Sequence, residues 1–211
     1  MTNDGMERFH RNIAPRQFGA ALIVSLLMLV VVMMLGMSAA QTALQSEKAS
    51  RNDRDRQVAL QAAEAALMDA ETDIEGSPDP ARSRSRLFAH DRTEGFSPGC
   101  GIENPALYLG LCSRAEGGHV PAWTNADLLD PSPAAMTVPY GHFTGQVFQT
   151  GAGPMPARPP RYVIELMAYN RAGEDATLDG RNYFYRVTAI GFGMRDTTQV
   201  VLQTFYRKDG K

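Results

Sequence analysis

Charge is missing from one long stretch: no Asp, Glu, Lys or Arg occurs between Arg16 and Glu47. Cysteine is scarce as well. Two residues cannot build a disulfide scaffold and leave room for one bridge. The signatures of catalysis are also lacking. There is no HExxH, GxSxG or P-loop, and His10, His90, His119 and His142 stand apart from one another. Gly151 and Gly153 have no following Lys-Ser/Thr and read as a loop. Asp127, Asp130, Asp175 and Asp179 offer oxygens suited to calcium, but their spacing matches no EF-hand loop. The sequence therefore nominates no catalytic residue, no metal ligand and no cofactor, and an enzyme is not expected. A net charge of −2 gives no basic surface for nucleic acid. No internal repeat is visible.

What fills the uncharged stretch is apolar. Residues 20–40 read AALIVSLLMLVVVMMLGMSAA, and ten of the eighteen residues from Ala20 to Met37 are Leu, Ile or Val. Each such residue favours insertion by roughly 0.3–0.6 kcal/mol, about 3–6 kcal/mol for the ten. A hydrocarbon core about 30 Å thick needs a helix of ~20 residues, which this stretch meets. Every face is apolar, which argues against a core helix of a soluble domain.

The flanks set orientation. Residues 1–19 carry Arg8, Arg11 and Arg16 against Asp4 and Glu7, and the arginines lie close to the apolar run. Lys and Arg near a span hold that end in the cytoplasm, so the remainder should lie in a periplasm or its equivalent. GMSAA, Gly36 to Ala40, loosely permits signal-peptide cleavage. Against that reading, the segment runs directly into a helical pattern. Gly19 offers a second boundary, where a cut would remove the charged leader and keep the helix.

From Gln41 to Glu75 there is neither proline nor glycine. Leu60, Ala63, Leu67, Ala70 and Ile74 recur at steps of three and four and predict one buried helix face. Gln57, Gln61, Glu64, Met68 and Glu71 fall on other faces. Gly76, Ser77 and Pro78 supply the stop. A continuous helix from Ala20 to Glu75 would be about 84 Å long. A coiled coil is the rival reading of its second half, but no sustained heptad supports it.

Residues 76–160 hold twelve of the thirteen prolines, so loops, short helices and edge structure are expected there. Arg82, Arg84 and Arg86 in SRSRSR read as a solvated strip, with an anion site as the rival. Ala126–Leu129 predicts a short helical turn, and Tyr140–Gln149 a strand with Phe143 and Val147 on one face. Cys100 and Cys112 flank a loop whose closure would stabilise by about 3 kcal/mol in the chain-entropy model. A disulfide suits an oxidising compartment. A metal site and two free thiols are the other readings, and the ligands for a metal are too few.

After Pro160 the period changes to two. Arg161–Asn170 predicts a strand with Tyr162, Ile164, Leu166 and Ala168 on one face. Asn182–Gly191 and Thr198–Arg207 predict two more. Asp179-Gly180 and Gly193–Thr197 mark the turns. Three short-linked strands predict an antiparallel meander, which needs a cover on one face. The Leu60–Ile74 stripe is the natural cover. The expected fold is α+β: a long N-terminal helix, membrane half plus amphipathic half, packed on a C-terminal antiparallel sheet.

A short basic leader ending in Gly19, then an apolar helix running into an amphipathic one, resembles the type IV prepilins and the pseudopilins of type II secretion. More narrowly, the stretch from Arg16 to Glu71, with RDRQVALQAAEAAL at Arg54–Leu67, resembles the PilX family of minor pilins, as does VVLQTFYRK at Val200–Lys208. The resemblance implies cleavage by prepilin peptidase after Gly19, with Ala20 as the methylated first residue. It implies a single-pass inner-membrane subunit, with its N-terminus cytoplasmic and its head periplasmic, that later enters an extracellular pilus. Implied partners are other minor pilins, the major pilin, a PilY-type tip adhesin and the inner-membrane assembly machinery. Most pilins carry glutamate at the fifth mature position, where this chain has Val24. An unpaired carboxylate in an apolar core is costly, so valine suits a subunit with nothing ahead of it, at or near the tip. Simple tolerance of valine at a lipid-facing site is the alternative. The expected divisions are leader 1–19, membrane or fibre-core helix 20–40, amphipathic helix 41–75, variable region 76–160, meander 161–207 and tail 208–211. The expected function is a minor pilin that primes pilus assembly and presents a tip adhesin. The alternatives are a minor pseudopilin and a single-span membrane protein with a periplasmic ligand-binding domain.

Overall fold

The computed structural model describes residues 19–89, 92–115, 120–169 and 182–208. Residues 1–18 of the leader, His90, His119, the 171–181 connection with Asp175 and Asp179, and residues 209–211 lie outside them. Two compact units divide the chain, residues 1–50 and 51–211.

The element order is α1 (Ala20–Glu75), a 3-10 turn at Ser85–Phe88, β1 (Leu111–Ser113), α2 (Ala122–Asn125), β2 (Val138–Pro139), β3 (Arg161–Tyr169), β4 (Asn182–Phe192) and β5 (Gln199–Tyr206). No proline interrupts α1 through its 56 residues, and the glycine-free stretch Gln41–Glu75 is rich in helix formers. Its described portion in the first unit is exposed throughout.

In the second unit the buried face of α1 is Ala59, Ala62, Ala63, Ala66, Ala70 and Ile74, joined by Asp55, Asp69 and Asp73. This corrects the expected stripe. Ala63, Ala70 and Ile74 are in it and Leu67 packs at its margin, but Leu60 is 37 % exposed. The physical reason is close approach. A Cβ on Gly191 of β4 would fall inside contact distance of the Ala59 carbonyl and the Ala63 amide. A seam of alanines against glycine brings helix and strand backbones together, and a leucine there would hold them apart.

The sheet runs β1-β3-β4-β5, with β2 also on β3. The β3-β4-β5 meander is antiparallel, in unbroken register from Arg161↔Ile190 to Tyr169↔Asn182 and from Phe192↔Gln199 to Tyr185↔Tyr206. The sheet as a whole is mixed rather than antiparallel, because β1 lies parallel to β3, with Leu111 opposite Ile164. Residues 76–160 thus contribute more than loops. Tyr162, Ile164, Leu166, Tyr185, Val187 and Ala189 meet α1 in one core cluster, which also takes Phe88, Leu111 and Phe143. On the other face Val163, Ile190 and Phe192 pack with the two cysteines, Ala122 and Leu128.

Two local expectations fail. The stretch Tyr140–Gln149 is a turn followed by irregular chain; Phe143 is buried, but Val147 is 88 % exposed. Glycines interrupt it: Gly141 and Gly145 both have positive φ, which a strand does not allow. The short helix sits at Ala122–Asn125, one turn before the expected Ala126–Leu129, and directly follows Pro121.

Candidate functional site

Two features of the chain are out of the ordinary: an apolar helix with no apolar surroundings, and charges buried under the head. The helix comes first. Leu22, Ile23, Val24, Leu26 and Leu27 are each more than half exposed, and the exposure continues through Met37. Among the described residues one helix is long and apolar enough to cross a membrane, and none of its most apolar window is buried. Two of its hydroxyls bond within the helix. Ser25 Oγ donates to the Leu22 carbonyl (2.9 Å) and Thr42 Oγ1 to the Ser38 carbonyl (3.0 Å), which removes the cost of bare hydroxyls in a dry environment. Gly19 is exposed, and Ala20 is the first helical residue. A helix that is apolar all round needs lipid or other helices about it.

Within the head, three aspartates on the alanine face each hold a different loop. Asp55 takes the β4–β5 turn: the Met194 amide (2.6 Å), the Thr198 hydroxyl (2.6 Å) and Arg195 Nε (2.8 Å) all donate to it. Burial pushes its carboxyl up, but the bonds from Thr198, Arg195 and the two backbone amides outweigh that, and the net direction is down. Asp69 takes the 141–144 turn, accepting from the Gly141 amide (2.8 Å) and the Thr144 hydroxyl. Here burial wins, helped by the nearby charge of Asp73, and the carboxyl is raised.

Asp73 takes Arg84. The guanidinium donates Nε to Oδ1 (2.9 Å) and Nη2 to Oδ2 (2.6 Å), and both side chains are fully buried. Arg84 Nη1 also donates to the carbonyls of Leu107 (3.1 Å) and Leu109 (2.7 Å). The guanidinium carbon lies 3.5 Å from the Phe143 ring centre. Tyr162 donates its hydroxyl to Asp73 (3.1 Å), and burial together with that charge lifts the phenol well above its usual value. This corrects the solvated-strip reading of the arginine run. Arg82 and Arg86 are exposed, but Arg84 is the largest fully buried side chain in the head.

Cys100 and Cys112 form a disulfide in which both residues are buried. It closes the loop that presents Leu107 and Leu109 to Arg84, so the covalent link and the ion pair support one another. His142 packs edge-on against Phe143, 4.5 Å between ring centres, and burial with the Arg84 charge lowers its pKa. Asp127 and Asp130 accept from the amides of Leu129 and Ser132, each two residues ahead, as turn residues do. Sequence reasoning missed Asp55, Asp69, Asp73 and Arg84. One signal was present: three acids fall at helical spacing on the same face as Ala59, Ala66 and Ala70.

Two family profiles match this chain. The PilX N-terminal profile covers residues 19–67, and the profile of the type IV pilus assembly protein PilX C-terminal region covers residues 108–208. The chain belongs to the PilX family of type IV pilus assembly proteins. No curated protein and no solved structure matches it. The N-terminal profile begins at Gly19 and takes in the exposed apolar helix with Asp55 and most of the alanine seam. The C-terminal profile takes in β1 and the whole meander. The protein is a minor pilin, a structural part of the type IV pilus that associates with other pilus components. Its single apolar helix is compatible with a single-pass membrane anchor.

Proposed function

We propose that this minor pilin primes assembly of the fibre and sits at or near its tip, where it helps present an adhesin. The observation that carries the reading is the apolar helix beginning at Ala20, exposed on every side and valine at its fifth residue. Prepilin peptidase cuts after Gly19. The freed subunit is held by α1 in the inner membrane, with its N-terminus cytoplasmic and its head periplasmic, until α1 exchanges lipid for the helices of other pilins. That exchange needs no large hydrophobic gain, because lipid and neighbouring helices are equally apolar; packing decides it. Val24 leaves no carboxylate waiting for the amine of a subunit ahead, so this chain accepts the foremost place. The major pilin, other minor pilins, the inner-membrane assembly machinery and a PilY-type tip protein are its partners.

Deletion with complementation tests this. Cells lacking the chain should shed few or no pili, and antibody against the head should mark filament ends in the complemented strain. Normal piliation after deletion, or label along the whole filament, would contradict the proposal.

A further inference from the structure

The end of β1 and the short helix α2 are both fixed to the disulfide. β1 pairs with β3 on one side and with Ser97 on the other. The Ser113 amide donates to the Ser97 carbonyl (2.9 Å), and the Ser97 amide to that of Leu111 (3.2 Å). α2 seats Ala122 in the cluster that holds Cys100 and Cys112. Both elements line a cavity of about 400 Å³. Small-molecule sites run from roughly 300 to 1,000 Å³. Pro98, Ala115 and Ala122 supply compact apolar walls, and side chains this short leave the gap unfilled.

Three polar side chains share this lining: Ser113, Arg114 and Asn125. Elsewhere in the head, arginines find acids: Arg84 pairs with Asp73, Arg158 with Asp196, Arg186 with Glu165 and Arg195 with Asp55. Among the described residues no acid pairs with Arg114, and none lines the cavity. The Ser113 hydroxyl and the Asn125 amide have no hydrogen-bond partner among those residues either. One cation and two further donors therefore border a space with apolar walls.

We propose that this cavity binds a carboxylate carried on a short, uncharged, apolar body. A guanidinium presents a planar fork of donors that matches the two oxygens of a carboxylate. Ser113 and Asn125 add donors for the same oxygens, and Pro98, Ala115 and Ala122 take the apolar body. A phosphate would set up to two negative charges against one cation and waste the apolar walls. The walls are held by the sheet and the disulfide cluster before any ligand arrives, so little ordering is left for binding to supply. The same chemistry is offered by a small free acid and by the C-terminus of a peptide. The site is independent of the subunit's place in the fibre.

The test uses the full chain extracted in detergent and ligand-observed saturation-transfer titrations. The probes are 3-methylbutanoate, its amide, the tripeptide Ala-Ala-Val with a free or an amidated C-terminus, and inorganic phosphate. 3-Methylbutanoate should bind saturably, and its amide about tenfold more weakly or less. Arg114→Gln should weaken the acid by a similar factor. Ala115→Leu, which fills the cavity and keeps the charge, should weaken it as well. Arg114 is exposed, so melting of Arg114→Gln should match the parent. Should it melt lower, Ala115→Leu and the acid-against-amide comparison decide. A free-ended tripeptide that binds about tenfold tighter than 3-methylbutanoate names a peptide terminus as the source, and equal or weaker binding names a free acid. No saturable binding of either acid, equal binding of acid and amide, an undiminished signal in both variants, or phosphate binding as tightly as the acid would each overturn the proposal.

Discussion

At the scale of single residues, the head rests on buried charges that α1 presents to loops. Removing one partner of a buried pair leaves the other unpaired, at a cost of about 3–5 kcal/mol. Arg84→Ala should therefore lower unfolding free energy by that order, since among the described residues Asp73 would keep the Tyr162 hydroxyl alone as a hydrogen-bond donor. Replacing both, as Asp73→Leu with Arg84→Met, should recover much of the loss, and a denaturant double-mutant cycle measures it. Asp55 and Asp69 predict opposite responses to pH. Asp55 has a depressed carboxyl, so its contribution is present above the ordinary value of 3.8 and is lost as pH falls through the folded value. Asp69 is raised, so its contribution is present below 3.8 and is lost as pH rises through the folded value. Asp55→Asn should flatten the acid limb of melting temperature against pH. Asp69→Asn should remove a decline on the way up from about pH 4.

At the scale of elements, the decisive contact is the alanine seam of α1 against Gly191. Gly191→Ala should cost about 1–3 kcal/mol through overpacking, read as a fall in denaturant midpoint at constant slope. Gly191 itself lies inside the last expected strand-two residues, and nothing in its local pattern announces the helix above it. The three meander strands were legible because Tyr162, Ile164 and Leu166 alternate with residues of the other face, and alternation is a local signal. The helix face was legible in phase but not in content. Leucines drew the stripe towards Leu60, whereas the buried seam uses smaller residues and three acids that pattern reading assigns to solvent. Arg84 was illegible for the same reason: its partner lies eleven residues back on another element, and its flanking arginines are exposed. β1 is only three residues long and owes its place to the disulfide loop and to β3. The Tyr140–Gln149 stretch misled because Phe143 and Val147 match a strand spacing that Gly141 and Gly145 forbid.

At the scale of the whole molecule, one chain carries two solvents' worth of surface. The described part of residues 1–50 is a helix suited to lipid or to a bundle of like helices. Residues 51–211 form a head with its own core, ion pairs and disulfide. The account depends on the first being released from its charged leader, since three arginines cannot enter an apolar core without partners. The most direct measurement is the mass of the N-terminal peptide of the protein extracted from membranes. The predicted species begins at Ala20 and carries a methylated amine. A mature protein that still begins at Met1, or one cut after Gly36–Ala40, would contradict the account.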